Sequence, residues 1–121
     1  MTIPRLPAGL ATAGKSLWKS VTGPDGFDLD VHEQLLLLQA CRCADRLDAM
    51  ADELIGASLT VTNHRGDEVS HPLMVESRQQ SLVLSRLLAS LRLPSGEEAG
   101  EVRPQRRGAS RGSYGIRGSV G

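Results

Sequence analysis

Between Asp30 and Gly56 the chain carries one unbroken helical pattern, and this segment limits the fold more than any other. Asp30 followed by Glu33 makes a capping-box-like start, with Asp in place of Ser or Thr. Leu36, Ala40, Cys43, Leu47, Met50 and Leu54 recur at three-four spacing, the signature of one apolar helix face. Gly56 stands where helix ends favour a left-handed residue. In a chain of 121 residues, so long a helix leaves room for one domain at most. Within it lie four successive leucines, Leu35, Leu36, Leu37 and Leu38. Successive helix residues step about 100° around the axis, so these four point almost all round it. One small domain covers one such face with ease. Covering all of them calls for a second packing partner, and Leu35 to Leu38 are therefore the candidate oligomer interface. Aromatic content points the same way: with only Trp18, Phe27 and Tyr114, a core must be built from Leu, Val, Ala and Met. A core of that kind is thin and favours self-association.

The flanking segments predict shorter elements. A first helix is expected from about Thr12 to Val21, with Thr12 as N-cap and Ala13, Leu17, Trp18 and Val21 on one face. Gly23-Pro24-Asp25-Gly26 ends it in a loop. Leu59-Thr60-Val61-Thr62 is alternating and β-branched, Asn63-His64-Arg65-Gly66 supplies a turn, and Asp67 to Ser70 returns, which predicts a small β-hairpin. Pro72 suits the first position of a third helix running to about Leu91. Leu84, Leu87, Leu88 and Leu91 form its apolar side, with Met74 and Val75 nearer the start. Beyond Pro94, Gly, Ser and Arg dominate and apolar residues almost vanish. Such a stretch buries too little surface to offset the entropy of ordering it. The expected organisation is a mainly α domain over residues 1–94 and a disordered tail over 95–121.

Charge is balanced in total, at 14 acidic and 14 basic residues, but not in distribution. From Asp25 to Gly56 the acids Asp25, Asp28, Asp30, Glu33, Asp45, Asp48, Asp52 and Glu53 outweigh Arg42 and Arg46. After Glu101 there is no acid, only Arg103, Arg106, Arg107, Arg111 and Arg117. Arginines spaced by Gly and Ser reach phosphates without a fixed shape, so these five are candidate DNA contacts. The plainer reading is a solubilising tail. Arg5, Lys15 and Lys19 form a second basic set. No segment reads as a helix-turn-helix, so no recognition helix is assigned. No apolar run nears the roughly 18 residues that span a bilayer, so no membrane contact is expected. The prolines at 4 and 7, and the lack of a long apolar stretch before Lys15, predict no secretory leader. Two cysteines make no disulfide framework, which suits a reducing cytoplasm.

Three patterns invite chemistry. Gly9-Leu10-Ala11-Thr12-Ala13-Gly14-Lys15-Ser16 matches the phosphate-loop spacing letter for letter. A working loop follows a buried strand, and the two prolines of Thr2 to Pro7 bar one there. No later apolar run ending in Asp offers a partner for Mg²⁺. Lys15 and Ser16 are therefore expected on the first helix, without a nucleotide. Cys41 and Cys43 lie two apart, about 200° around a helix, and cannot share one ion without unwinding it. A buried apolar role is expected for both. His64 and His71 flank the hairpin and could meet across it, although His71 before Pro72 reads as structural. His32 reads as solvated in the first turn of the acidic helix. No Ser/His/Asp set stands out. No cofactor or metal, and no catalysis, is expected.

The order of these elements resembles a known family. Pro7-Ala8-Gly9-Leu10, then Lys15 to Val21 with Leu17-Trp18, is similar to the opening of the small subunit of tailed-phage terminases. The likeness continues through the helix from Asp30. It is strongest at Leu59 to Thr62, Gly66, His71-Pro72, Arg86-Leu87-Leu88 and Leu91-Arg92-Leu93-Pro94. It covers about Pro7 to Pro94, in order and with compatible spacing. In the family the closing helix usually ends in Gly-Leu, and Arg92 stands here in place of that Gly. The resemblance implies a non-enzymatic, ring-forming homo-oligomer in the cytoplasm of a bacterial host. It would bind double-stranded viral DNA and deliver it to the large terminase subunit, which holds the ATPase and nuclease. The alternative from the residues alone is a stand-alone, dimeric DNA-binding transcriptional regulator.

Overall fold

In a computed structural model of the chain, residues 3–93 and 105–106 are described. Three helices carry most of them: α1 (Thr12–Thr22), α2 (Val31–Leu54) and α3 (Pro72–Leu91). Four short strands complete the order: β1 (Phe27–Asp28) between α1 and α2, β2 (Thr60–Thr62) and β3 (Glu68–Ser70) between α2 and α3, and β4 (Gln105–Arg106). The mainly helical architecture with a small hairpin agrees with the sequence reading.

Local chemistry explains most boundaries. Asp30 and Glu33 form the expected capping box of α2, and Glu33 Oε1 accepts from the Asp30 N–H at 2.7 Å. At its other end α2 closes on Ile55, and Gly56 follows with φ +74°, a conformation that side chains with a Cβ disfavour. In the β2–β3 hairpin Thr60 pairs with Ser70, Val61 with Val69 and Thr62 with Glu68. Asn63 sets its turn: Oδ1 accepts from Arg65 N–H at 2.9 Å and from Asp67 N–H at 3.0 Å. His71 then closes the hairpin and opens α3. Its N–H donates to Leu59 O at 2.8 Å, and its Nδ1 accepts from Leu73 N–H at 3.1 Å. His71 is thus the N-cap of α3, with Pro72 in the first turn. His64 sits exposed in the turn, at the opposite end of the hairpin, so the two histidines do not meet.

Two expectations are corrected. Thr12 is the first residue of α1, not its cap; Ala11 holds the cap position and has no side-chain oxygen to offer. The expected disorder of the tail fails at Gln105–Arg106, which pairs antiparallel with β1, Phe27 opposite Arg106 and Asp28 opposite Gln105; the rest of residues 95–121 lies outside the described residues. Local composition, rich in Gly and Arg, carries no sign of a pairing with so distant a strand.

The core gathers at one end of the α2–α3 pair. Leu10, Trp18, Val21, Phe27, Leu29, Leu37, Cys41 and Leu91 form one buried cluster, edged by Leu6, Leu17, Leu36, Leu38, Leu88 and Leu93. Leu37 near the start of α2 meets Leu91 at the end of α3, so the two helices run antiparallel. Toward the hairpin the interior thins to Met50.

Candidate nucleic-acid and self-association surfaces

The phosphate-loop look-alike lies at the start of α1, and its surroundings decide what it can hold. Among the described residues no strand precedes it; residues 3–7 are irregular. A free helix N-terminus attracts anions through its unpaired N–H groups and its dipole. Here the anion is internal. The Asp45 carboxylate, from the middle of α2, accepts from Ala11 N–H at 2.8 Å through Oδ2 and from Gly14 N–H at 2.6 Å through Oδ1. One side chain therefore supplies the cap that Ala11 lacks and ties α1 to α2. Gly14 is required for this approach. A Cβ at position 14 would stand 2.5 Å from Asp45 Oδ2 and 2.9 Å from the Cys41 carbonyl oxygen. The glycine and the helix start that mimic a nucleotide site are thus the point where two helices touch. Lys15 and Ser16 lie exposed on α1, as expected.

Beneath this contact lies Cys41, fully buried. Burial, with the Asp45 carboxylate adding to it, pushes its thiol up from 9.0 to about 11, against a hydrogen bond from the Trp18 backbone. Cys43 is buried too, and both cysteines are free thiols. They fill the interior, in keeping with the apolar role expected of them. Asp30, His32 and Glu33 bring ligand-type atoms within 4.8 Å of one another, but Asp30 and Glu33 are joined as the α2 cap and His32 is exposed.

The candidate DNA contacts are spread out. Arg5 is exposed before α1; Lys15 and Lys19, one turn apart, share the exposed side of α1. Arg106 lies in β4, in register with Phe27. Arg103, Arg107, Arg111 and Arg117 lie outside the described residues.

The four leucines divide their work. Leu37 is 0 % exposed and spent on the chain's own core, while Leu36 and Leu38 flank that core half-buried. Leu35 is 58 % exposed. Of the four, it alone presents most of its surface outward, one turn after Val31, which is also exposed. Sequence reasoning named the right run but not which of its residues the chain's own core takes up. A surface that it missed lies on α3. Leu84, Leu87 and Leu91 turn toward the interior, whereas Val75 and Leu82 stand on the opposite side in solvent, with Val83 beside them. Val75 and Leu82 are seven residues apart, about two helical turns, and so lie on one line. Met74, Ile55, Leu59 and Val69 are further exposed apolar residues around the hairpin end. No helix among the described residues is long and apolar enough to cross a membrane. Comparison with family models, with curated proteins and with solved structures finds no match to this chain.

Proposed function

We propose that the chain is a non-catalytic, self-associating subunit of viral DNA packaging, of the terminase small-subunit kind. In this role it binds double-stranded viral DNA as a ring of copies and hands it to the large ATPase and nuclease subunit. The observation that carries self-association is the apolar line on the outer side of α3, uncovered by the single chain, together with exposed Val31 and Leu35 on α2. A monomer gains nothing from holding Val75 and Leu82 in water; a copy packed on them removes that surface from solvent.

The sequence resemblance assigns the task, and one backbone detail supports it. Arg92, at the position where the family usually has Gly, ends α3 in the left-handed region at φ 54° and ψ 42°. It is the one non-glycine residue with positive φ among those described. The departure from the family pattern falls where a glycine fits the backbone best. The Asp45 carboxylate at the α1 N-terminus supports the non-catalytic reading, since it takes the N–H groups a phosphate would need.

Native mass measurement of the purified protein, with and without duplex DNA, tests the proposal. A closed assembly of more than four copies that binds DNA and shows no ATP hydrolysis is expected. A stable monomer would remove the reading. A DNA-binding dimer that ignores the large subunit would replace it with the transcriptional regulator.

A further inference from the structure

We propose that copies of the chain meet through unlike surfaces: the outer line of α3 on one copy seats on the apolar face of the β2–β3 hairpin on the next. The inference rests on the proposed self-association and names the surface that receives the line. Val75, Arg78, Leu82 and Arg86 are spaced by three and four residues, which sets them along one side of α3. Val75 and Leu82 are exposed, and so are both arginines. From Ser77 to Leu93 the chain has no acid. The receiving surface is on the hairpin. Val61 and Val69 are cross-strand partners, and Leu59 stands two residues before Val61, so the three share one side of the ribbon. Leu59 is 64 % exposed, and Val69 is exposed as well. Acids flank this face in the chain. Asp52 and Glu53 lie in the last turn of α2, and Asp67 and Glu68 stand where β3 begins, all four exposed. Between Asp48 and Glu76 the only lysine or arginine is Arg65, in the turn.

Each surface is an apolar strip beside charge of one sign, and the two signs are opposite. Two α3 lines laid together set arginine against arginine, and two hairpin faces set acid against acid. Like charges across an interface suppress such pairings. A line on a hairpin face removes both apolar strips from water and brings unlike charges together. Apolar burial supplies the attraction, because exposed ion pairs contribute little; the charges decide which surfaces meet. The surfaces differ, so a copy that gives its line still offers its hairpin face. Copies therefore add in series, and the series closes as a ring.

Charge reversal with exchange between copies tests the contact, read by native mass and sedimentation velocity on the full chain. One variant carries Arg78→Glu and Arg86→Glu; the other carries Asp52→Lys, Glu53→Lys and Asp67→Lys. Each alone sets like charges across the contact and should lose the assembly, with helix content unchanged by circular dichroism. Mixed one to one, reversed surface meets reversed surface and unaltered meets unaltered, so assemblies of alternating copies should return. Either variant assembling like the unaltered chain overturns the contact, and so do two folded variants that stay apart when mixed. Where a reversed variant does not fold, Arg78→Gln with Arg86→Gln takes its place. Its assembly should be about three- to tenfold weaker, and unchanged assembly overturns the contact. A large assembly indifferent to every one of these changes removes this contact and leaves the self-association reading standing. An unaltered chain that stays monomeric removes both.

Discussion

Asp45 shows how one side chain can join two helices. Its carboxylate accepts from both Ala11 and Gly14 N–H groups, so removing it orphans two donors and unties α1 from α2. Asp45→Ala should lower unfolding free energy by about 1–2 kcal/mol, a charge-assisted cap discounted for partial exposure. Chemical denaturation of the two proteins measures it. Arg92 makes the opposite case. Held at φ 54°, it carries a conformational cost that glycine lacks. Arg92→Gly should therefore stabilise the fold by about 1 kcal/mol, and a raised melting temperature would register it. Cys41 ties stability to alkaline pH. Its folded thiol holds its proton to about 11, above the 9.0 of the exposed group. Between those values the unfolded chain releases a proton that the folded chain keeps, so the unfolded state gains as pH rises. The stability that Cys41 contributes is full below pH 9.0 and has gone once pH passes about 11. Denaturation midpoints across that window should fall, and should fall less in Cys41→Ala.

Among the elements, α2 and α3 each do two jobs with different sides under the proposed self-association: core inside, contact between copies outside. Leu37, fully buried in the one core cluster, belongs to the interior, and Leu37→Ala should cost about 2–5 kcal/mol in unfolding free energy. Leu82, on the outer side of α3, belongs to no part of the single chain's interior. Leu82→Glu should leave helix content intact and shift the assembly toward monomer, as sedimentation velocity would show. Loss of folding with Leu82→Glu, or full assembly retained, would place the interface elsewhere. The β2–β3 hairpin packs little against the helices. Its stability comes from the Asn63 turn, the Thr60 Oγ1 bond to Glu68 at 2.6 Å, and His71 binding back to Leu59.

At the scale of the whole molecule, the proposed packaging role joins charge separation to self-association. If copies form a ring, each adds one arginine-rich segment, and weak phosphate contacts gain from multivalency. Ending the chain after Pro94 should preserve the assembly, because the apolar line on α3 stays. It should weaken DNA binding for all sequences alike, since arginine contacts to phosphates read no bases. The log–log dependence of affinity on salt should flatten by about 0.9 for each phosphate that the shortened chain no longer neutralises. Equal slopes for the two proteins would move the DNA-binding surface to Arg5, Lys15 and Lys19.

What the sequence determined by itself is local. The Asp30–Glu33 cap, the Gly56 stop, the Asn63 turn and Pro72 at the head of α3 each act within a few residues, so spacing alone reveals them. Periodicity likewise marks the inward side of α3 at Leu84, Leu87, Leu88 and Leu91, but Met74 and Val75, expected on that side, stand exposed, because the core does not reach the start of the helix. Tertiary structure decided the rest. Which leucine of Leu35 to Leu38 is buried depends on how the helices pack into one cluster, and α1 joins α2 where Gly14 admits Asp45. A carboxylate that caps a helix 31 residues away in sequence leaves no local pattern at either end. The pairing of Gln105–Arg106 with Phe27–Asp28 is hidden for the same reason: a strand two residues long has no periodicity of its own, and only its partner, brought near by the folded helices, gives it a place.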